Sequence, residues 1–359
     1  MIIKESSFNE LETLNVLIRD QNPEADKLFS ELSTKPPVNP SEKKYYYVVT
    51  ARYYLLKKDF HLFEKTQELM LPYIEDDKLY NFSYHYFNAL FKFYQSEYEE
   101  SLYFFKLASK FLNKVDPLER GEFYYNLSAL YYEIDKITLS IKNVYKAYEI
   151  FKENNKLKRM ADCHIVIANN NYEIKQLKES ELHYNQALKI YKKLNHDNVS
   201  ICYHNLGHLY SKLGKPKESV LQLTNALEFV TNDKEQLIKT YYLLSRECYR
   251  INDIDTGNEY YEKAIGVCKE TSNHEYIYHL RVQKALYDPD YSYYFEMETE
   301  FNKIIDFFIE KGLWNYVEEY ALVIAQYYKD SEQYDHACEF FDLAQTARER
   351  VIKSRNDLI

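Results

Sequence analysis

Two small residues, seven positions apart, recur together along most of this sequence. The second of the two stands at Ala108, Ala147, Ala187, Ala226, Ala264 and Ala344. Neighbouring copies are about 38 to 40 residues apart, and the last interval is about twice as long, as one worn copy would make it. In the same order, the first small residue of each copy is Ser101, Ser140, Ser180, Ser219, Gly257 and Ala337. The larger residue between the two small ones is Phe105, Val144, Tyr184, Leu223, Tyr261 and Phe341. Seven residues span two helical turns, so both small residues share one helix face and let a second helix approach closely.

The clearest copy of this repeat runs from Tyr203 to Leu227. Its sequence, YHNLGHLYSKLGKPKESVLQLTNAL, predicts two antiparallel helices joined by a turn at Gly214 to Pro216. The seam-forming positions are Leu206, Gly207 and Tyr210 on the first helix, and Ser219, Leu223 and Ala226 on the second. In the tetratricopeptide repeat, the first helix carries a large, a small and an aromatic residue at these positions, and the second helix carries a small, a large and a small residue. Its recurrence predicts a solenoid built from helical pairs.

The beginning of the chain does not follow the repeat. The prolines at Pro36, Pro37 and Pro40 must interrupt any helix there. We therefore predict an all-α fold with a short N-terminal helical bundle over residues 1–75. A tetratricopeptide-like right-handed helical solenoid should follow over residues 76–359.

The predicted solenoid holds about seven repeats and a C-terminal capping helix, because the end of a solenoid needs a polar outer face. Residues 273–312 form its worn copy, with a turn at Asp288-Pro289-Asp290.

Composition limits the classes of function. A net charge of −10 and a pI near 5.6 disfavour a general nucleic-acid binder, which should show a basic face. The five cysteines are scattered with no C-x-x-C pair, as in a protein whose thiols stay reduced. The N-terminal segment lacks the pattern of a signal peptide, and no apolar run has the length of a membrane span. We expect a cytoplasmic protein with neither nucleic acid nor a membrane as direct partner.

In arrays of this kind the first helix of each pair lines the inner groove. The repeat register places the following residues there: Glu122, Tyr125, Asn126, Asp162, Ile165, Asn169, Tyr172, His204, Asn205, His208, Lys239, Tyr242, Arg246 and Tyr249. Asparagine can donate to and accept from an extended backbone, so this groove suits a short peptide. The alternative is a solvated polar face that binds no ligand.

The sequence gives little support for catalysis or metal binding. His204 and His208 are four residues apart, as in some metal sites, but the glutamate of H-E-x-x-H is missing, so groove-lining roles are favoured. His274, Glu275 and His279 are interpreted as a surface cluster. No G-x-S-x-G, phosphate-binding or dinucleotide-binding glycine motif occurs. We therefore predict no catalytic residue, no metal and no cofactor.

Four segments carry a resemblance to a known family. They are RGEFYYNLSALYYEI at 120–134, KAYEIFKENN at 146–155, DCHIVIANNNYEIKQ at 162–176 and YHNLGHLY at 203–210. With the N-terminal LNVLIRDQNPEADKLFSEL, they resemble the Rap family of Gram-positive bacteria along nearly the whole chain. The resemblance implies a regulator that binds a response regulator or a transcription factor and is switched off by a short Phr peptide in the repeat groove. Some members dephosphorylate a sporulation regulator, and others block a DNA-binding domain.

The resemblance also assigns roles to individual residues. It matches Asn205 with the asparagine that clamps the peptide backbone, and Glu173 with an acidic anchor that is aspartate in the family. Asn170 matches a further family asparagine. These positions agree with the groove read from the repeat register.

The sequence departs from the family's phosphatases near the start of the third predicted helix. Those proteins carry a glutamine in an acidic segment there, and it is thought to orient the attacking water. Here the segment reads VNPSEKKYYY, and no glutamine lies between Gln21 and Gln67. We therefore expect a peptide-responsive binding regulator without phosphatase activity. Two alternatives stay open: an active phosphatase with a replacement such as Glu42, and a scaffold without peptide control.

Overall fold

A computed structural model of the protein describes residues 3–34, 36–37, 39–74, 78–230, 233–288 and 297–357. The turn predicted at Asp288-Pro289-Asp290 therefore lies largely outside the described residues. These ranges contain α-helices and two short 3-10 turns but no strand. The helices are α1 (Ile3–Arg19), α2 (Glu24–Ser33), α3 (Pro40–Lys57), α4 (Phe60–Met70), α5 (Lys78–Tyr94), α6 (Tyr98–Ser109), α7 (Pro117–Glu133), α8 (Ile137–Glu153), α9 (Leu157–Glu173), α10 (Leu177–Leu194), α11 (Val199–Lys212), α12 (Pro216–Leu227), α13 (Lys234–Arg250), α14 (Ile254–Thr271), α15 (His274–Tyr287), α16 (Met297–Glu310), α17 (Trp314–Asp330) and α18 (Tyr334–Asp357). The all-α prediction is confirmed.

Helix length and hydropathy bear on membrane insertion. Within the described ranges, every helix is too short or too polar to cross a bilayer.

The helices form two compact units by their internal contacts. The first unit extends to Lys156 and holds α1–α8, and the second begins at Leu157 and holds α9–α18. In the first unit one hydrophobic core joins α3 to α7, with Ala51, Phe63, Phe87 and Phe123 as members. This core is continuous across the loop after α4. The domain boundary expected at residue 75 stays a prediction.

Helical pairs are held together at the small positions of the repeat. Ser101 Oγ donates to the Ala89 carbonyl at 2.8 Å, and Ser140 Oγ donates to the Ser128 carbonyl at 2.8 Å. Both serines are 0% exposed. The serine side chain is so short that its hydroxyl reaches a backbone carbonyl only when the two helix backbones are in close contact. The small residues of the repeat therefore set the distance between paired helices.

The larger side chains between the small positions fill the seam, as expected. The exposed fraction is 1% for Phe105, 0% for Val144, 4% for Tyr184, 0% for Leu223 and 7% for Tyr261. Phe341 differs, with 39% exposed, because it belongs to the final helical pair and no further pair follows it among the described residues.

Gly207 marks the closest approach of α11 to α12. A Cβ atom on this residue would lie 2.5 Å from Leu223 Cγ and 3.3 Å from the Ser219 carbonyl oxygen. Gly266 in α14 is also helical, but a Cβ atom there would meet nothing within 4 Å. The two glycines therefore form a matched pair for testing how closely the helices pack.

Gly207→Ala should destabilise the protein by about 1–3 kcal/mol, because overpacking outweighs the gain in helix propensity. Gly266→Ala should instead stabilise it by up to about 1 kcal/mol. Urea denaturation followed by circular dichroism measures both effects. Equal changes in the two variants would contradict the role of Gly207 in helix contact.

Candidate functional site

The predicted site residues lie on the first helices of their pairs, in two different compact units. Tyr125 and Asn126 belong to α7 in the first unit. The second unit holds Asn169, Asn170, Tyr172 and Glu173 on α9, His204, Asn205 and His208 on α11, and Tyr242 and Arg246 on α13.

The two residues of the first unit are partly buried. Asn126 Nδ2 donates to the Tyr86 hydroxyl at 2.7 Å and to the Glu122 carbonyl at 2.9 Å. Both amide hydrogens of Asn126 are therefore engaged, which leaves its carbonyl oxygen for a ligand. Tyr125 is half-buried beside it.

The second unit contains a cleft formed by two adjoining cavities of about 450 and 310 Å³. Both are lined by His208, Tyr242, Arg246, His279, Glu319 and Tyr320. The larger cavity adds Tyr172, Ser211, Lys212 and Arg250, and the smaller adds His204, Lys239, Tyr276 and Tyr316. Helices α11, α13, α15 and α17 each contribute lining residues. This group of residues is called the cleft below.

The cleft brings together six of the predicted groove residues, Tyr172, His204, His208, Lys239, Tyr242 and Arg246. Half of its wall comes from α15 and α17, which sequence analysis did not assign to the site. The interpretation of His279 as a surface residue was wrong. This side chain is 4% exposed, is hydrogen-bonded through Nδ1 to the Tyr320 hydroxyl and lines both cavities.

The three histidines of the cleft are neutral at physiological pH. Burial lowers the pKa of His204 to about 3 and, together with Arg246 and Lys212, lowers that of His208 to about 4. Burial also lowers the pKa of His279 to about 4. Neutral imidazoles offer one donor and one acceptor each and add no charge to the cleft.

The tautomer of His204 follows from its neighbour. Thr240 Oγ1 donates its only hydrogen to the Gln236 carbonyl at 2.8 Å. The same oxygen lies 3.0 Å from His204 Nδ1, so it must accept a hydrogen from that nitrogen. His204 Nε2 is then an acceptor, available to an N–H group of a ligand.

A buried carboxylate holds two arginines at one part of the cleft. Glu247 is 0% exposed and accepts from Arg246 Nε at 3.0 Å and from Arg250 Nη1 at 2.8 Å. Ser211 Oγ donates to the same carboxylate at 2.7 Å. Two guanidinium groups against one carboxylate leave a net positive charge, to which Lys212 adds. Sequence analysis missed Glu247 because the repeat register places this position on the side of α13 that faces away from the groove.

The asparagines differ in how far their amides are committed. Asn170 is 0% exposed and donates to the Val166 carbonyl, so a direct ligand contact would require uncovering it. Asn169 accepts from the Tyr184 hydroxyl at 2.7 Å. Asn205 is half-buried, and its side chain forms no hydrogen bond with the described part of the chain. A half-buried amide without a partner is costly unless water or a ligand satisfies it.

Glu173 and the metal question complete the site. Glu173 is exposed at the end of α9 and is not among the residues that line the cleft. Within the described ranges, no three histidine, cysteine, aspartate or glutamate side chains converge as a metal site would require.

Comparison with known proteins agrees with this architecture. The tetratricopeptide repeat family matches residues 201–229, the copy that the sequence shows most clearly. Regulatory protein RapF of Bacillus subtilis (strain 168) is 23% identical over 76% of this chain and 72% of RapF. Response regulator aspartate phosphatase A of the same organism is 24% identical over 76% of this chain and 72% of that protein. The transcriptional activator NprA of Geobacillus stearothermophilus is 26% identical over 91% of this chain and 84% of NprA.

Solved structures show the same fold. A Rap protein complexed with competence and sporulation factor has a TM-score of 0.77 and 19% identity, with 99% of each chain covered. The apo quorum sensor NprR from B. thuringiensis has a TM-score of 0.79 and 19% identity, covering 96% of this chain and 99% of NprR. The chain has the helical tetratricopeptide-repeat fold of these Rap and NprR structures. Its predicted resemblance to the Rap family is confirmed.

Glu247→Gln should destabilise the protein by about 1–3 kcal/mol, because it leaves Arg246 and Arg250 without their carboxylate. The loss stays below that of a fully buried pair, since the arginine side chains are 26% and 31% exposed. Urea denaturation measures the change.

The matched control is Glu259→Gln, whose carboxylate pairs with Lys263 on the surface of α14 at 61% exposure. Its effect should be below about 0.5 kcal/mol. A loss in Glu247→Gln no larger than the control's would contradict the anchoring role of Glu247.

Proposed function

We propose that this chain is a Rap-like cytoplasmic signalling regulator that binds a response regulator or a transcription factor and is controlled by a short quorum-sensing peptide. The names of its relatives support this class, since they include a regulatory protein, a transcriptional activator and a response regulator phosphatase. The Rap protein in complex with competence and sporulation factor supports a peptide as the controlling ligand.

The observation that carries the proposal is the uncommitted amide of Asn205 on the same helix as the cleft residues His204 and His208. A peptide backbone presents N–H and C=O groups at regular intervals, and one asparagine amide can pair with both. His204 Nε2 offers a further acceptor beside it. The other proposed peptide-binding residues are Tyr125, Asn126, Asn169, Asn170, Tyr172, Glu173, His208, Tyr242 and Arg246.

The proposal does not include phosphatase activity. Family phosphatases carry a glutamine in the segment that opens α3, and the matching stretch here, between Pro40 and Lys43, holds none. Glu42 is the candidate replacement there, but a carboxylate repels an incoming phosphoryl group. The competing function, an active response-regulator phosphatase, is suggested by the names of three relatives. The two candidate functions differ in whether the chain accelerates the release of phosphate from a phosphorylated response regulator.

Asn205→Ala should weaken peptide binding by about 1–3 kcal/mol, because two hydrogen bonds to the peptide backbone are lost. Fluorescence anisotropy with short synthetic peptides that bind the wild-type chain measures the affinity. Asn185→Ala is the control, since Asn185 is exposed on α10 and donates only to the Glu181 carbonyl. Equal affinity of wild type and Asn205→Ala for every bound peptide would contradict the clamp.

Phosphate release from a panel of phosphorylated response regulators should stay at its spontaneous rate when the chain is added. A complex with one regulator, detected by size-exclusion chromatography, should form without hydrolysis. Faster release would overturn the non-phosphatase proposal, and its loss in Glu42→Gln would then identify the replacement residue.

A further inference from the structure

The first compact unit contains a cavity of its own, with a volume of about 420 Å³. Helices α1, α3 and α5 and the start of α7 form its wall. Among its lining residues are Asn15 on α1, Tyr45 and Arg52 on α3, Tyr80 on α5 and Glu119 on α7. A cavity of this size is large enough for a small organic molecule. It is called the N-terminal cavity below.

Two tyrosine hydroxyls at the N-terminal cavity carry a hydrogen that no atom in the described part of the chain accepts. Tyr80 is 4% exposed, and its buried hydroxyl has no hydrogen-bond partner there. The Tyr45 hydroxyl accepts from Asn15 Nδ2 at 3.2 Å, which leaves its own hydrogen to donate. Burial raises the pKa of both phenols, so both keep their hydrogens at neutral pH. A buried donor without an acceptor costs stability, which a ligand that supplies an acceptor recovers.

The charged groups at the N-terminal cavity balance one another. Arg52 forms an ion pair with the buried Glu119. Asp116 Oδ1 lies 3.6 Å from Arg19 Nη1. The remaining charged residues that line the cavity are one cation and one carboxylate, Lys44 and Glu12. An ion of either sign would therefore enter beside groups of its own charge, whereas an uncharged molecule leaves the balance intact.

Apolar side chains complete the wall of the N-terminal cavity. Val48 is 8% exposed, and the ring of Phe8 stacks on that of Tyr45 with centroids 5.2 Å apart. Leu79 adds an aliphatic side chain. Binding sites for small molecules combine such apolar walls with a few polar groups that fix the orientation of the ligand. The wall therefore suits a molecule with an apolar body and one polar end.

We propose that the N-terminal cavity is a second ligand site, for a small uncharged molecule with an apolar body and a carbonyl-type hydrogen-bond acceptor. The acceptor takes the hydrogen of Tyr80, and the Tyr45 hydroxyl offers a second donor. The apolar body lies against Phe8 and Val48. The N-terminal cavity belongs to the first compact unit and the cleft to the second, so this site does not depend on a peptide in the cleft.

The experiment uses three probes of matched size on the full-length chain. Phenylbutanamide is uncharged and carries a carbonyl acceptor, phenylbutanoate is an anion, and phenylbutylamine is a cation at neutral pH. Ligand-observed NMR titration gives the Kd of each probe for the wild type, Tyr80→Phe, Tyr45→Phe and Tyr103→Phe. Tyr103 is the matched control, because it is 58% exposed on α6 and does not line the N-terminal cavity.

Phenylbutanamide should bind the wild type saturably, with a Kd of about 1 mM or lower, and more tightly than either ion. Tyr80→Phe and Tyr45→Phe should each weaken its binding about two- to tenfold, because one hydrogen bond is lost. Tyr103→Phe should bind it as the wild type does. Without a ligand, Tyr80→Phe should unfold at the same or a higher urea concentration than the wild type, because it removes a hydroxyl that lacks a partner.

Any of four results would overturn this site. Phenylbutanamide could fail to bind the wild type, could bind both Tyr80→Phe and Tyr45→Phe as tightly as the wild type, or could bind more weakly than one of the ions. In the fourth, Tyr80→Phe without a ligand unfolds at a lower urea concentration than the wild type, which would give the hydroxyl a structural role instead. The proposed function is tested separately, by the peptide affinity of Asn205→Ala and by phosphate release.

Discussion

Close contact between paired helices at small residues is the constraint on which the rest of this structure depends. The serine hydroxyls at Ser101, Ser140 and Ser219 each reach a backbone carbonyl of the preceding helix, at 2.7–2.8 Å. A bulkier side chain would separate the backbones and break these bonds. Because one face of each first helix is fixed in this way, its remaining side chains are held in place. In the second unit they meet as the walls of one cleft.

Within that cleft, most polar groups are already assigned to partners of the protein itself. Glu247 positions two arginines, and Thr240 fixes the tautomer of His204. Asn205, next to His204 on α11, is left uncommitted although it is half-buried. An arrangement held rigid before binding loses little entropy when a ligand enters. Asn205, on a helix that also lines the cleft, therefore offers an amide for a peptide backbone.

Much of the fold could be predicted, because the repeat signal is local. Small and large residues at fixed offsets, such as Ser219, Leu223 and Ala226, report helix contacts directly. The cleft residues of α11 and α13 followed from the same register. Those of α15 did not, since the worn repeat at 273–312 loses the offsets and hides His279, and those of α17 lie beyond that interruption of the register. Nor does sequence reveal which asparagine is uncommitted, because the partner of Asn169 is the Tyr184 hydroxyl of the next helix, a contact set by tertiary structure.

The most direct test of the account is hydrogen–deuterium exchange of the full chain, with and without the short synthetic peptide that binds it most tightly. Binding in the cleft should slow exchange in Val199–Lys212 and Lys234–Arg250, and also in His274–Tyr287 and Trp314–Asp330. The last two segments matter most, because they provide half of the residues that line the cleft. Protection that is missing from all four segments, or confined to residues before Lys156, would contradict a peptide site in the cleft.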